Sequence, residues 1–197
     1  MRRRKRRIPG EKMTDLRAAV FKLRGGLWTA LFLTVWFLAG KAGASAIAVG
    51  ICLVALGQGI RFWASGCITR YRGEKIGAEN LVTWGPYAFV RNPLYLGNGL
   101  IGAGWGILAG WKALCVFLGA FVVLYGIFIV PCEEEFLEKK FGEEYRNYKR
   151  KTGRFLPVWR PAMEVDGPFD VSILWKSERH SLFITLAGTA VLIASVW

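Results

Sequence analysis

Residues 113–130 read ALCVFLGAFVVLYGIFIV, and residues 131–137 read PCEEEFL. No charged side chain interrupts the first run, and three carboxylates follow Pro131 almost at once. A bilayer core takes roughly 20 consecutive apolar residues per helix, with a range of about 17–25. The run fits that length, and the abrupt change after it marks where such a helix leaves the bilayer. Working outward, four further blocks share its character: Leu27–Gly40, Gly43–Ile60, Leu94–Trp111 and Ser181–Trp197. The first of these is short and needs flanking residues to span. Over the whole chain 53% of residues are hydrophobic, and they come in blocks rather than in the alternation of a soluble core. The expected fold class is an all-α integral membrane protein of about five transmembrane helices, forming one domain over 1–197.

The chain carries 27 Lys and Arg against 14 acids, a net charge of +13. All but two of the basic residues fall in three regions: the tail over 1–26, the Arg61–Arg91 loop and the Pro131–His180 loop. Lys41 and Lys112 occupy the short turns on the other side. Basic loops face the cytoplasm, which predicts a multi-pass protein with a cytoplasmic N-terminus and a C-terminal helix, 181–197, ending on the opposite side. Trp28, Trp63, Trp111 and Trp197 stand at block ends, as an interfacial belt requires. The opening MRRRKRR lies too far from the first block for a signal peptide. It is read as a partner of anionic lipid headgroups, not of nucleic acid. Cys52, Cys67, Cys115 and Cys132 form no CxxC pair, so neither a disulfide framework nor a metal site is expected. His180 stands alone before the last block and is read as an interfacial anchor.

Gly102, Gly106 and Gly110 recur on one helical face, where small residues allow close helix approach in lipid. Gly97–Gly102 matches GxGxxG, but a dinucleotide fingerprint needs a strand before it and a βαβ unit around it, and an apolar span offers neither. After Pro131 a charged amphipathic helix is expected, with Leu137, Phe141, Tyr145 and Tyr148 on one stripe, Gly142 interrupting it and Gly153 with Pro157 ending it.

Polar residues gather in the loop from Arg72 to Tyr95 and again from Glu133. Both clusters lie on the side assigned to the cytoplasm, and ionisable residues at a membrane edge are functional candidates. Carboxylates at a helix mouth, facing a loop of Arg, Asn and Tyr, suit a zwitterionic cytosolic cofactor. The residues alone do not say which one.

Arg91-Asn92-Pro93-Leu94-Tyr95-Leu96-Gly97 resembles the RHPxYxG motif of isoprenylcysteine carboxyl methyltransferases and related phospholipid methyltransferases, and Glu133-Glu134-Glu135-Phe136-Leu137 matches their partner EExxL motif. The likeness runs on through Glu79–Tyr87, Phe141–Tyr145, Tyr148–Arg150 and Leu156-Pro157, covering 72–157. The resemblance implies S-adenosylmethionine as cofactor, with Arg72, Glu79, Asn80, Leu81, Val82, Tyr87, Asn92, Pro93, Leu94, Tyr95 and Glu133 lining its site.

Two positions depart from the family pattern. Asn92 replaces a histidine, and an amide hydrogen-bonds but does not titrate near neutrality. Ile129 stands where the isoprenylcysteine enzymes carry a substrate-contacting arginine, at a place expected to lie near the interface, within snorkelling reach of water for a long cation. Glu144 and Arg150 are the available substitutes for positioning substrate. The expected activity is methylation of an isoprenylcysteine-like acid or another lipid-like acceptor at the cytoplasmic membrane face. Phospholipid N-methylation comes second, ahead of an NADPH-dependent sterol-reductase-like enzyme or a non-catalytic scaffold.

Overall fold

The computed structural model describes residues 9–68 and 80–197. Seven helices follow in order: α1 (Pro9–Phe37), α2 (Ala44–Gly66), α3 (Pro93–Ala109), α4 (Trp111–Phe121), α5 (Val130–Phe141), α6 (Glu143–Lys151) and α7 (Val171–Val196). A 3-10 turn, Gly85–Ala88, precedes α3, and a π-helical stretch, Val122–Ile129, joins α4 to α5. Among the described residues there is no strand, only an isolated parallel bridge between Val90 and Gly153.

The all-helical membrane fold is as expected; of the five expected spans, three meet the length and hydropathy of a membrane crossing among the described residues. These three helices are Ala44–Gly66, the continuous Trp111–Phe141 and Val171–Val196. The other two expected spans fall in α1, of which only part is apolar among the described residues, and in the shorter α3. The apolar part of α1 is Gly25–Phe37, and α3 has 17 residues. At 1.5 Å per residue α3 reaches about 26 Å, against a hydrocarbon core of about 30 Å.

The amphipathic helix expected after Pro131 is present, and it runs on from the apolar one without a break at the proline. Within an α-helix its ring would press on the carbonyl four residues back. The π stretch widens the turn ahead of it, and Val130 N–H bonds to the Tyr125 carbonyl, five residues back. Gly142 does interrupt the helix, at φ +55, and α6 ends at Lys151, just before Gly153. At the other end of the sequence, α7 begins ten residues before the apolar block. Asp170 caps it by accepting from the amides of Ser172 (2.7 Å) and Ile173 (3.1 Å). Glu178 therefore sits in a helix, not in a loop.

Glycine sets how closely the central helices pack. A Cβ on Gly57 would lie 2.6 Å from the Gly97 carbonyl oxygen, and one on Gly104 would lie 2.6 Å from that of Gly50. Two glycine pairs, each spaced by seven residues, thus bring the α2 and α3 backbones into contact. The anticipated stripe serves the next interface: Gly102 packs on Phe117 and Gly106 on Leu114. Gly110 does not share it, since at φ +110 it makes the turn between α3 and α4.

Candidate active site

Arg91, just before α3, ties the loop to α5 and to the segment after α6. Its Nε donates to Glu134 Oε1 at 3.1 Å, and its Nη1 donates to the carbonyls of Lys149 (2.8 Å) and Thr152. Arg154 holds the same carboxylate from the other side, Nη2 to Oε2 at 2.6 Å. Residues 152–158 then run along 87–92 as a strap. Arg91 N–H bonds to the Gly153 carbonyl (2.8 Å), Val158 N–H to that of Phe89 (2.9 Å), and Asn92 Nδ2 to that of Arg154 (3.1 Å). The Tyr148 hydroxyl donates to the Tyr87 carbonyl at 2.8 Å. Burial pushes the Tyr145 and Tyr148 hydroxyls well above the usual phenol range, so both stay protonated and Tyr148 remains a donor.

The neighbouring carboxylate has a different role. Glu134 is buried in the arginine knot, whereas half-buried Glu133 turns towards α3 and accepts from the Tyr95 hydroxyl at 2.5 Å. This bond joins the RNPLYLG and EEEFL motifs directly. Behind it the Tyr95 and Tyr125 rings lie 4.8 Å apart and those of Phe121 and Tyr125 4.7 Å apart. Trp28 Nε1 donates to the Tyr125 hydroxyl, which also receives Asn98 Nδ2 at 3.3 Å. A carboxylate against a wall of aromatic faces is a setting that suits a cation.

The expected site residues divide into several groups. Asn92, Pro93, Leu94 and Tyr95 are buried at the start of α3, and Tyr95 meets Glu133. Leu81, Val82 and Tyr87 are half-buried in the loop leading there, while Asn80 is exposed. Arg72 and Glu79 lie outside the described residues, as does MRRRKRR. Glu144 and Arg150 sit on the exposed face of α6, where Arg150 donates to Glu143 (3.2 Å) and Asn147 (2.6 Å), and the fold does not bring them to the Tyr95–Glu133 pair. Ile129 departs from expectation: at 1% exposure it is packed with Tyr95, Tyr125 and Val130, so no side chain there snorkels to water. Trp28 is part of this inner wall and not of a belt.

Sequence reasoning passed over four residues that the fold gathers here: Arg61, Asn98, Tyr125 and Glu178. Arg61 holds Glu178 with Nε–Oε2 at 3.0 Å and Nη2–Oε1 at 2.9 Å, and its Nη1 donates to Asn98 Oδ1. A polar chain thus runs from α7 through α2 and α3 to Tyr125. Its signal was available in Arg61, an ionisable residue at the end of an apolar block.

The profile of the phospholipid methyltransferase family matches residues 45–144, half of the chain. The chain belongs to that family. The match takes in α2, α3, both motifs and the start of α6, leaving α1 and α7 outside. Curated relatives include a cobalt-zinc-cadmium resistance protein of Cupriavidus metallidurans, 34% identical over 55% of this chain and 46% of its own length. A nickel-cobalt-cadmium resistance protein of Alcaligenes xylosoxydans xylosoxydans is 31% identical over 58% of this chain and 51% of its own. A methanethiol S-methyltransferase of Pseudomonas deceptionensis is 27% identical over 68% of this chain and 53% of its own. The chain therefore spans about half the length of the curated relatives it matches. No solved structure matches it. Together with the three apolar helices among the described residues, family membership makes this phospholipid methyltransferase relative an integral membrane protein.

Proposed function

We propose that the chain transfers a methyl group from S-adenosylmethionine to a lipid-like acceptor at the cytoplasmic edge of the membrane. The observation that carries this reading is the 2.5 Å bond between Tyr95 and Glu133, which draws the two motifs into one site beside an aromatic wall. The donor set fits the cofactor. Glu133 suits its ammonium; the rings of Tyr95 and of Phe155, which lies in the strap 6.2 Å from the Phe121 ring, suit its sulfonium and purine; and Arg91 with Arg154 carries one more positive charge than Glu134 offsets, which suits its carboxylate. The cofactor supplies an electrophilic methyl carbon. The chain's own residues orient and shield. Tyr95 fixes the Glu133 carboxylate, the 152–158 strap closes the polar end, and buried Tyr125 and Ile129 of the π stretch keep water from the inner wall. Holding reactants in line contributes up to roughly 7–11 kcal/mol of such a barrier.

Ile129 speaks against a prenylcysteine acid, since the position is apolar and buried. Relatives named as methanethiol S-methyltransferases make sulfur an acceptor atom to include beside oxygen and nitrogen. Incubation with labelled S-adenosylmethionine and a membrane lipid extract tests the activity, with label expected in an extractable product. Calorimetry in detergent tests the site. Glu133→Gln is expected to weaken S-adenosylmethionine binding by roughly 1.5–3 kcal/mol, the range for a hydrogen bond to a charged group. Unchanged affinity in a folded variant would remove Glu133 from the site.

A further inference from the structure

A cavity of about 640 Å³ lies between α1, α3 and α7. It follows α3 from Tyr95 to Trp105, ten residues or about 15 Å of helix. The end near Tyr95 is polar, formed by Arg61, Asn98 and Tyr125, whereas Phe32, Ile101 and Trp105 make the other end apolar. Its rim on α7 includes Phe183 and Ile184, 73% and 63% exposed on the apolar face of a membrane-spanning helix. The opening thus faces hydrocarbon, and the polar end reaches the same Tyr95 hydroxyl that bonds to Glu133.

Charge decides what such a chamber accepts. Among the described residues its one cation is Arg61, whose guanidinium is clamped by Glu178. Ser65 Oγ donates to the same carboxylate at 2.7 Å, and Gln58, itself bonded to Thr185, lies 3.5 Å from it. Glu178 is 2% exposed and belongs to α7, outside the family match. An anionic guest would have to displace this clamp, and a cationic one would meet a guanidinium already satisfied. Either would also lose its own hydration on entering an apolar space.

We propose that this cavity holds the methyl acceptor, that the acceptor is an uncharged, mostly apolar molecule ending in one small hydrogen-bonding group such as a thiol or hydroxyl, and that Glu178 sets this preference by cancelling the charge of Arg61. The assignment of the occupant as acceptor rests on the methyl-transfer reading above. The polar end offers the Tyr95 and Tyr125 hydroxyls and the Asn98 amide to a neutral group, and Glu178 acts through Arg61 without touching the guest. The guest's sulfur or oxygen would take the methyl carbon as the methyl–sulfonium bond breaks, leaving a neutral thioether, and the proton it loses would pass through the Tyr95 hydroxyl to the Glu133 carboxylate bonded to it.

The full chain in phosphatidylcholine nanodiscs is exposed to three alkyl-diazirine probes of equal length, ending in hydroxyl, carboxylate or trimethylammonium. Labelled sites are mapped by mass spectrometry. The hydroxyl probe is expected to label 98–105 and 183–191 well above either charged probe, and Ala187→Phe, which fills the mouth, brings that labelling to background. Glu178→Gln exposes the guanidinium and raises labelling by the carboxylate probe about tenfold or more, the usual scale for a desolvated charge pair. The double variant Arg61→Gln with Glu178→Gln keeps the wild-type preference, which separates a charge effect from a loosened fold. Equal labelling by charged and neutral probes in the wild type, or labelling insensitive to Ala187→Phe, overturns the proposal even if Glu178→Gln fails to fold. Calorimetry with S-adenosylmethionine on the same samples separates the two claims. Cofactor binding without neutral labelling overturns the chamber alone, while labelling without cofactor binding overturns the methyl-transfer reading and with it the identity of the guest.

Discussion

Glu134 and Glu178 are almost equally buried, 3% and 2% exposed, yet different kinds of partner hold them. Glu134 takes two arginines, and Arg91 is itself bonded to the backbone of Lys149 and Thr152, so the carboxylate closes a chain segment over the site. Glu178 takes one arginine and two neutral donors, Ser65 and Gln58, from a single neighbouring helix. The first cluster retains a surplus positive charge beside an expected cofactor. The second is balanced beside an apolar cavity. Similar burial therefore serves two ends: shaping a polar site in one place, and keeping a membrane-facing chamber neutral in the other.

The comparison breaks most visibly at Glu134. Glu134→Ala leaves Arg91, whose side chain is 10% exposed, without its carboxylate and loosens the strap. Removing one partner of a buried pair costs roughly 3–5 kcal/mol, and the lower end applies because Arg154 is 40% exposed and recovers hydration. Thermal melting in detergent measures it, and proteolysis within 152–158 should accelerate in parallel. A melting temperature within a degree or two of wild type would mean that the backbone bonds alone hold the strap.

A smaller effect tests whether the interior depends on close approach more than on charge. Gly57→Ala places a methyl group 2.6 Å from the Gly97 carbonyl oxygen, and backbone there does not yield cheaply. Overpacking of this kind costs about 1–3 kcal/mol. The balanced replacement of Arg61 and Glu178 by glutamines should cost less, because exchanging a whole buried pair is often near neutral. If melting ranks the two in the opposite order, the ion pair and not the glycine contact holds α2 in place.

The same contrast explains what was legible in the sequence. Helical class, the Gly142 break and the partnership of the two motifs could be read from block lengths, a residue type and an ordered set of residues. The α2–α3 contact could not, because Gly50 with Gly57 and Gly97 with Gly104 are meaningful only once two helices face each other. The unbroken passage through Pro131 was not legible either, because a π stretch absorbs what a proline breaks in an α-helix. Ile129 looked interfacial by its place at the end of a block, yet the widened turn carries it inward to Tyr95 and Tyr125. Glu178 was hidden by its charged neighbours, Lys176 and Arg179, which made the first turns of α7 look like loop.

The smallest expected effect lies where α7 begins, eight residues before Glu178. Asp170 accepts two backbone amides that the helix cannot satisfy internally, and the Ser172 side chain first, then these two bonds, hold its carboxyl below the usual carboxylate range. Because the folded pKa lies below the unfolded value of about 3.9, the contribution is fully present above that value and is lost as pH falls through the folded one. Asp170 is fully exposed, so the change is local. Protection factors from hydrogen exchange should fall at Ser172 and Ile173 in Asp170→Ala at neutral pH, and in the wild type only under acid conditions. Asp170→Asn keeps an acceptor and should retain protection across the whole range. Labelling of the cavity by the neutral probe should not change in either variant, since Glu178 lies two turns further in and is held by α2. If labelling drops along with the cap, α7 is anchored from its end, and the Arg61–Glu178 clamp does less to place the chamber wall than its burial implies.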